Sequence, residues 1–186
     1  MTEVRTIAVI GAGAMGRGIA HAAALGGYHT ILEDLLPNAL RRAETEIRAH
    51  LDQAVGLGKV NTADADAALS RIEYAGSVDE AARAADLVIE AVPDELESKL
   101  EIFIMLDKFC RPGTILAATT SWLSVTEIAG ATYRAKKCVG MRFSNPVQTM
   151  NVLEIARARE TDDETLAAAV EVGKNMRKEI VVIQET

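Results

Sequence analysis

The chain has 186 residues, of which 49% are hydrophobic and 4% aromatic, and its formal net charge is −7. This length and apolar content are typical of one folded α/β domain with an aliphatic core, and they exclude a disordered chain. The acidic balance, without a long run of Lys or Arg, argues against binding to nucleic acid. No apolar run reaches the roughly 18 residues of a membrane span, so we expect no membrane contact.

Short β-rich runs alternate with helical stretches along the chain. In the first half the pattern predicts strands at Thr6–Ile10, 30–33 and Ile72–Ala75, and helices at Ala14–Leu25, from 37 to about 55, and at 61–70. In the second half it predicts strands at 87–91, 114–118, 138–142, 152–155 and 180–183. This alternation predicts a doubly wound, mostly parallel sheet with helices on both faces, as one domain over residues 1–186.

Two further helices are predicted from their starting signals. Pro93 opens one of them, since proline is tolerated in the first helical turn. The other begins at Thr161, because Thr161-x-x-Glu164 matches the capping-box pattern, and it runs towards Lys178.

Two cysteines, Cys110 and Cys138, lie far apart and form no C-x-x-C pair. We therefore expect no metal site and no thiol redox motif. A strand begins almost at the amino terminus, with no charged leader and apolar stretch before it, so we expect no signal peptide. Reduced, partly buried thiols in a cytoplasmic protein are the expectation.

A glycine-rich turn joins the first strand to the first helix. It reads Gly11-Ala-Gly13-Ala14-Met15-Gly16, the G-x-G-x-x-G pattern of Rossmann dinucleotide-binding domains, and here a strand precedes it and a helix follows. Gly11 permits the tight turn, Gly13 lets backbone N–H groups approach a diphosphate, and Gly16 permits close packing of helix on strand. The helix N-terminus adds unpaired donors and partial positive charge for the anion.

An acidic residue ends the second predicted strand. Asp34 follows Gly11 by 23 residues, near the spacing of about 20 at which a carboxylate binds the adenosine ribose. The same carboxylate repels a 2′-phosphate, and Leu35 and Leu36 offer that phosphate no positive charge. The sequence therefore predicts NAD rather than NADP. Glu33 is also acidic, but strand alternation directs it to the opposite face.

Four segments together resemble the 3-hydroxyacyl-CoA dehydrogenase family. They are VIGAGAMGRGIA at 9–20, ADLVIEAVPDELESK at 85–99, TTSWLSVTEI at 119–128 and GMRFSNPVQTMNVLEI at 140–155. The resemblance implies an oxidoreductase of fatty acid metabolism that transfers hydride between NAD and a 3-hydroxyacyl-CoA or a related 3-hydroxy acid.

The resemblance also implies roles for individual residues. Ala91, Asp94 and Lys99 would line the cofactor, with Asp94 standing where the family has Glu. Ser121 would contact the cofactor and hydrogen-bond the 3-oxygen of the substrate. Asn145 would lie near the nicotinamide as a cofactor-binding and catalytic residue.

The chain departs from the family at the catalytic base. The family pattern G-x-H-F-F-N-P reads here Gly140-Met-Arg142-Phe-Ser-Asn145-Pro, so Arg142 stands in the histidine position. Glu154 falls on the glutamate that orients this histidine. Thr119 and Trp122 also replace the Asn and the second Ser of the family's N-T-S-S pattern.

This departure leaves several interpretations open. Arginine keeps its proton in proteins, so Arg142 does not replace a general base. It could polarise a carbonyl, stabilise an alkoxide or bind the carboxylate of an acidic substrate. It could also pair with Glu154 and leave an NAD-binding homologue that has lost or changed dehydrogenase chemistry. The chain's three histidines are predicted to be surface or packing residues: His21, His29 and His50.

The resemblance implies a second, all-helical domain after the NAD-binding domain. That domain would provide a further catalytic asparagine, much of the acyl pocket and the interface of a homodimer. The present chain ends where the helical domain would begin. We expect these 186 residues alone to bind NAD and to turn over poorly.

Overall fold

A computed structural model describes residues 2–185 of the chain. The strands in this part are β1 Thr6–Ile10, β2 His29–Glu33, β3 Ile72–Ala75, β4 Leu87–Glu90, β5 Ile115–Ala118, β6 Cys138–Phe143, β7 Val152–Arg157 and β8 Glu179–Gln184. The α-helices are α1 Ala14–Leu25, α2 Pro37–Gly56, α3 Thr62–Ser70, α4 Val78–Ala84, α5 Leu96–Phe109, α6 Val125–Gly130 and α7 Asp163–Asn175. A short 3₁₀ turn at Ala135–Lys137 precedes β6.

The strands form one sheet in the order β3-β2-β1-β4-β5-β6-β7-β8. All neighbouring pairs are parallel except β6 with β7. In register, Ile7 pairs with Thr30 on β2 and with Leu87 on β4. The chain leaves β1 towards β2 and later returns to β4 on the other side, so the strand order reverses beside β1. Such a switch point opens a crevice at the carboxyl ends of the strands.

The two faces of the sheet carry separate cores. Along β1, Ile7 and Val9 belong to the core that includes residues of α1, α2, α3 and α7, whereas Ala8 and Ile10 belong to the core that includes residues of α4, α5 and α6. Successive side chains of a strand point to opposite faces, so an uninterrupted apolar run such as 7–10 fits a strand that is covered on both sides. The predicted doubly wound Rossmann-type fold is confirmed.

Two short helices were absent from the sequence prediction. Helices α4 and α6 have only seven and six residues, too few for helical periodicity to stand out. Their starts nevertheless carry capping signals, because the side chain of Ser77 accepts a hydrogen bond from Glu80 N and that of Ser124 from Glu127 N.

Two predicted helix starts were wrong. Helix α5 begins at Leu96 and not at Pro93, because Glu95 N donates to Pro93 O and forms a turn before the helix. The N-cap of α7 is Asp162 rather than Thr161, whose hydroxyl instead accepts from Ala158 N and donates to Cys138 O. Thr161 therefore joins the start of α7 to β6.

Both cysteines are buried and free. Burial raises the pKa of each thiol to about 11, which disfavours the reactive thiolate. Among residues 2–185, no helix combines the length and apolarity needed to cross a membrane.

Candidate active site

A crevice of about 500 Å³ lies at the carboxyl ends of the strands, beside the point where the strand order reverses. Its walls are the glycine turn after β1, the end of β2, the loops after β4 and β5, and the end of β6. The lining residues are Gly11, Gly13, Ala14, Met15, Asp34, Ala91, Val92, Pro93, Asp94, Thr119, Thr120, Ser121, Arg142 and Phe143. The crevice thus unites the predicted dinucleotide turn with Ser121 and Arg142.

The glycine turn is shaped by contacts that exclude side chains. Gly11 has a φ of +99°, and a Cβ there would lie 2.8 Å from Ala91 O. A Cβ on Gly16 would lie 1.7 Å from Gly11 O, so this glycine packs under the turn and does not line the crevice. Gly13 differs, because a Cβ there would meet no atom within 4 Å. The space above Gly13 is therefore open to a ligand.

Helix α1 begins at this open space. Its N-cap is Gly13, and no side chain caps it, so the first N–H groups of α1 are available to an anion. On the same wall, Asp34 accepts from Ala12 N through Oδ2 and from Leu36 N through Oδ1, both at 2.9 Å. These two bonds fix the carboxylate at the crevice, and each oxygen keeps capacity to accept a further hydroxyl donor.

Glu33 points away from the crevice, as strand alternation predicted. Its side chain is buried and Oε1 has no hydrogen-bond partner. Burial, together with the charge of Asp34, raises the pKa of Glu33 to about 7, against a hydrogen bond from Gly11 that lowers it. The protein therefore buries, next to Asp34, a carboxyl group whose pKa is about 7.

This buried carboxyl group makes stability depend on pH. Glu33 releases its proton near pH 4.5 when unfolded but near pH 7 when folded, so the free energy of unfolding falls as pH rises between these values. At pH 8 we expect the free energy of unfolding of Glu33→Gln to be about 2 kcal/mol higher than that of the wild type. At pH 4 the two proteins should have nearly the same free energy of unfolding. Urea unfolding at both pH values measures this.

The control is Glu160→Gln, which removes a carboxyl group from the exposed surface instead of a buried one. A constant difference between Glu33→Gln and the wild type across this pH range would show that Glu33 does not titrate in this way.

Lys99 lies beneath the crevice and not on its wall. Its side chain and that of Glu90 are both 0% exposed, and Nζ lies 2.7 Å from Glu90 Oε1. Nζ also donates to Thr119 O at 2.9 Å and to Val92 O at 3.3 Å. Burial raises the pKa of Glu90 to about 7, although the charge of Lys99 works against this rise.

Arg142 lies between two carboxylates. One terminal nitrogen donates to Glu154 Oε1 at 2.9 Å and the other to Glu185 Oε1 at 3.2 Å, while Nε is buried without a partner. Glu185 also accepts from the N–H groups of Val125 and Thr126 at the start of α6. Burial works to raise the pKa of Glu185, but these hydrogen bonds and Arg142 outweigh it and hold the pKa below its usual value.

The other predicted site residues occupy different surroundings. Ser121 lies on the crevice wall, where its N–H is 3.5 Å from Asp94 Oδ2, and Oδ1 of Asp94 has no hydrogen-bond partner. Asn145 is exposed beyond the end of β6 and does not line the crevice. Glu154 does not line the crevice either, and is connected to it through its hydrogen bond with Arg142. A catalytic contact by Asn145 or Glu154 remains a prediction.

His21 is a buried residue of α1. Its ring centroid lies 6.5 Å from that of His50 on α2, and neither ring nitrogen has a hydrogen-bond partner. Burial, then the nearby His50 and Lys178, lowers the pKa of His21 to about 4. It does not line the crevice, so it does not supply the base that Arg142 lacks.

Sequence reasoning missed Glu90 and Glu185. Glu90 lies in an otherwise apolar strand, and apart from this unusual charge nothing in the sequence indicated a role at the site. Glu185 reaches Arg142 across 43 residues of chain, and no local pattern reports such a contact.

Comparison with known proteins identifies the family. The model of the family described as "3-hydroxyacyl-CoA dehydrogenase, NAD binding domain" matches residues 6–186. The chain belongs to the 3-hydroxyacyl-CoA dehydrogenase family. NAD is the cofactor of this domain, as the glycine turn and Asp34 predicted.

Two curated relatives and one solved structure illustrate the similarity. A probable 3-hydroxybutyryl-CoA dehydrogenase of Bacillus subtilis (strain 168) is 36% identical over 98% of this chain and 63% of its own length. The 3-hydroxyadipyl-CoA dehydrogenase of Escherichia coli (strain K12) is 36% identical over 100% of this chain and 39% of its own length. The (S)-3-hydroxybutyryl-CoA dehydrogenase structure from Ralstonia eutropha gives a TM-score of 0.95 at 33% identity, over 99% of this chain and 65% of that one. The chain therefore spans less than two thirds of each.

The crevice fits NAD. The open space above Gly13 at the start of α1 suits the diphosphate, and Asp34 suits the adenosine ribose. Leu35 and Leu36 follow Asp34 and bring no positive charge for a 2′-phosphate. The geometry thus matches NAD and disfavours NADP.

Proposed function

We propose that this chain is the NAD-binding domain of an oxidoreductase that transfers hydride between NAD and a 3-hydroxyacyl-CoA or a related 3-hydroxy acid. The observation that carries this proposal is the single crevice in which the dinucleotide turn, Asp34 and Ser121 meet. Bound NAD supplies the hydride acceptor. The hydroxyl of Ser121 binds the 3-oxygen of the substrate and orients it.

Arg142 takes part as a fixed cation. It does not accept the proton that leaves the 3-hydroxyl group, so this proton passes to water in the crevice. In the reverse direction, the guanidinium favours negative charge that develops on the 3-oxygen as hydride arrives, and water then protonates that oxygen. Glu154 and Glu185 pair with Arg142 and would weaken its attraction for a developing alkoxide and for a substrate carboxylate alike.

A second candidate function is an NAD-binding homologue with lost or changed chemistry. The observation that favours it is that Arg142, at the position of the family's catalytic histidine, donates hydrogen bonds to two carboxylates. Such a protein would bind NAD and would not reduce a 3-ketoacyl-CoA.

Gly13→Ala tests where NAD binds. The new Cβ would clash with nothing in the free protein but would occupy the space of the diphosphate, so we expect unchanged thermal stability and at least about tenfold weaker NADH binding. Trp122 is the only tryptophan of the chain and adjoins Ser121, so energy transfer to NADH, with calorimetry, measures the dissociation constant. Gly76→Ala, also in open space, is the control that should keep wild-type affinity.

The same variants separate the two candidate functions. With 4-deuterated NADH and acetoacetyl-CoA, mass spectrometry should detect slow formation of deuterated 3-hydroxybutyryl-CoA by the wild type and Gly76→Ala, and much less by Gly13→Ala. Tight NADH binding with no deuterium transfer by any variant would favour the second candidate. Equal NADH affinity of Gly13→Ala and the wild type would refute the placement of NAD.

We further propose that the whole protein is a cytoplasmic homodimer with an additional helical domain and a role in fatty acid metabolism. The family resemblance supports the domain, the dimer and the role, and two free, buried thiols suit a reducing compartment. Light scattering and cell fractionation of the full-length protein test these points.

A further inference from the structure

The carboxylate of Glu185 accepts hydrogen bonds at both of its oxygens. Oε1 accepts from Val125 N at 2.9 Å and from Arg142 Nη2 at 3.2 Å. Oε2 accepts from Thr126 N at 2.8 Å, from Thr126 Oγ1 at 2.9 Å and from Ser124 Oγ at 3.4 Å. Backbone N–H groups thus face both oxygens, and a carboxylate provides an acceptor at each place.

These hydrogen bonds connect two parts of the chain that line the crevice. Arg142 lies on β6 and lines the crevice, and its guanidinium ends a long, flexible side chain. Ser121 also lines the crevice, in the segment 119–124 that joins β5 to α6 and belongs to neither a strand nor a helix. Glu185 binds this segment where α6 begins. One carboxylate therefore fixes the guanidinium and the end of the loop that carries Ser121.

Arg142 keeps donors for a ligand while it is held in this way. Each terminal nitrogen of the guanidinium carries two N–H groups, and each gives one hydrogen bond, to Glu154 or to Glu185. Glu185 itself does not line the crevice. It can therefore influence a bound substrate only through the groups that it holds in place and through its charge.

We propose that Glu185 is a positioning residue for hydride transfer, because it sets the place of the Arg142 guanidinium relative to the hydroxyl of Ser121. This inference rests on the proposed function, in which both groups meet the 3-oxygen of the substrate. Displacing a group that contacts the reacting atoms by about 1 Å can slow a reaction by roughly 100-fold. An anchor outside the crevice can thus control the rate without touching the substrate.

Glu185→Asp tests the geometry without changing the charge. Aspartate keeps both acceptor oxygens but is shorter by a methylene group, so from the same backbone position it does not reach both Arg142 and the start of α6. With saturating 4-deuterated NADH and acetoacetyl-CoA, we expect deuterium transfer at least about fivefold slower than in the wild type. NADH affinity, measured by calorimetry, should stay within about twofold, because Glu185 contacts neither the glycine turn nor Asp34.

Thr126→Val and Thr126→Ser form a milder, matched pair. The hydroxyl of Thr126 donates to Glu185 Oε2 and accepts from Arg159 N at 3.2 Å. Valine removes this hydroxyl at nearly the same volume, whereas serine keeps it. We expect deuterium transfer at least about twofold slower in Thr126→Val and unchanged in Thr126→Ser. This pair decides the matter if Glu185→Asp does not fold.

Asp163→Asn is the control for a lost ion pair. Asp163 pairs with Arg157 on β7 and is 90% exposed, so its replacement should keep the wild-type transfer rate and NADH affinity. All rates are compared per molecule of folded protein, which circular dichroism measures.

Three outcomes would overturn the inference. The first is a wild-type transfer rate in Glu185→Asp or, if that variant does not fold, in Thr126→Val. The second is an equal loss of NADH affinity and transfer rate, which would show general structural damage. The third is a wild type that binds NADH but transfers no deuterium, which would refute the proposed function and the inference with it.

Discussion

Gly16→Ala is expected to destabilise the domain by at least about 4 kcal/mol, enough to leave much of the chain unfolded. The new Cβ would lie 1.7 Å from Gly11 O and 2.8 Å from Gly11 C, far inside van der Waals contact. The obstructing atoms are backbone, in a turn that already needs a φ of +99° at Gly11, so no side chain can rotate away. Circular dichroism with urea unfolding measures the loss.

Gly56→Ala provides the comparison. Gly56 is the last residue of α2, and a Cβ there meets no atom within 4 Å. Alanine favours helix over glycine by roughly 1 kcal/mol in a helix interior, so this variant should be at least as stable as the wild type. A Gly16→Ala protein with wild-type stability would show that α1 does not pack against the turn as described.

Arg142→Leu is expected to lower the free energy of unfolding by about 3 kcal/mol at pH 7. The substitution leaves Glu154 and Glu185 without their shared cation, and Glu185 is only 13% exposed. Removing one partner of a buried ion pair costs roughly 3–5 kcal/mol, and the partial exposure of Glu154 places this case at the lower end. Urea unfolding with the midpoint and slope fitted together measures the difference.

The difference should shrink in acid. The folded-state pKa of Glu185 lies below its unfolded value, so its stabilising contribution is present above the unfolded pKa and is lost as pH falls through the folded one. Arg142→Leu and the wild type should therefore converge from pH 5 towards pH 3. A gap that stays constant over this range would argue that lost packing, and not lost charge, causes the destabilisation.

Arg157→Leu is the matched control on the neighbouring strand. Arg157 pairs with Asp163, whose side chain is 90% exposed, and such surface pairs contribute less than about 1 kcal/mol. If both arginine variants lose the same stability, Arg142 is an ordinary surface charge.

The surroundings of Arg142 show what arginine does at the position that the family resemblance assigns to a catalytic histidine. A histidine at this point would exchange a proton near neutral pH, whereas arginine stays charged and binds two carboxylates at once. Pairing with Glu154 was one of several roles that the sequence left open for Arg142, and the two side chains are hydrogen-bonded in the structure. The structure also adds Glu185, which connects Arg142 to the start of α6.

The prediction of helices succeeded or failed according to their length. Long helices such as α2 were found because several turns of apolar periodicity accumulate. Helices α4 and α6 were missed, although Ser77 and Ser124 cap them, because one or two turns give no periodicity. Pro93 misled the prediction because a proline suits both a first helical turn and the loop before it.

What the sequence by itself determined was the fold class, the cofactor and the glycine turn with Asp34. These depend on local chemistry, such as the absence of a side chain at Gly13 or a carboxylate at the end of a strand. Such chemistry is set by residues that are close together in the sequence. Only the tertiary structure decided that Lys99 lies beneath the crevice, that Asn145 lies outside it, and that Glu185 holds Arg142. The physical reason is that burial and ion pairing depend on which distant segments of the chain contact each other. The sequence pattern of one segment does not show which other segment packs against it.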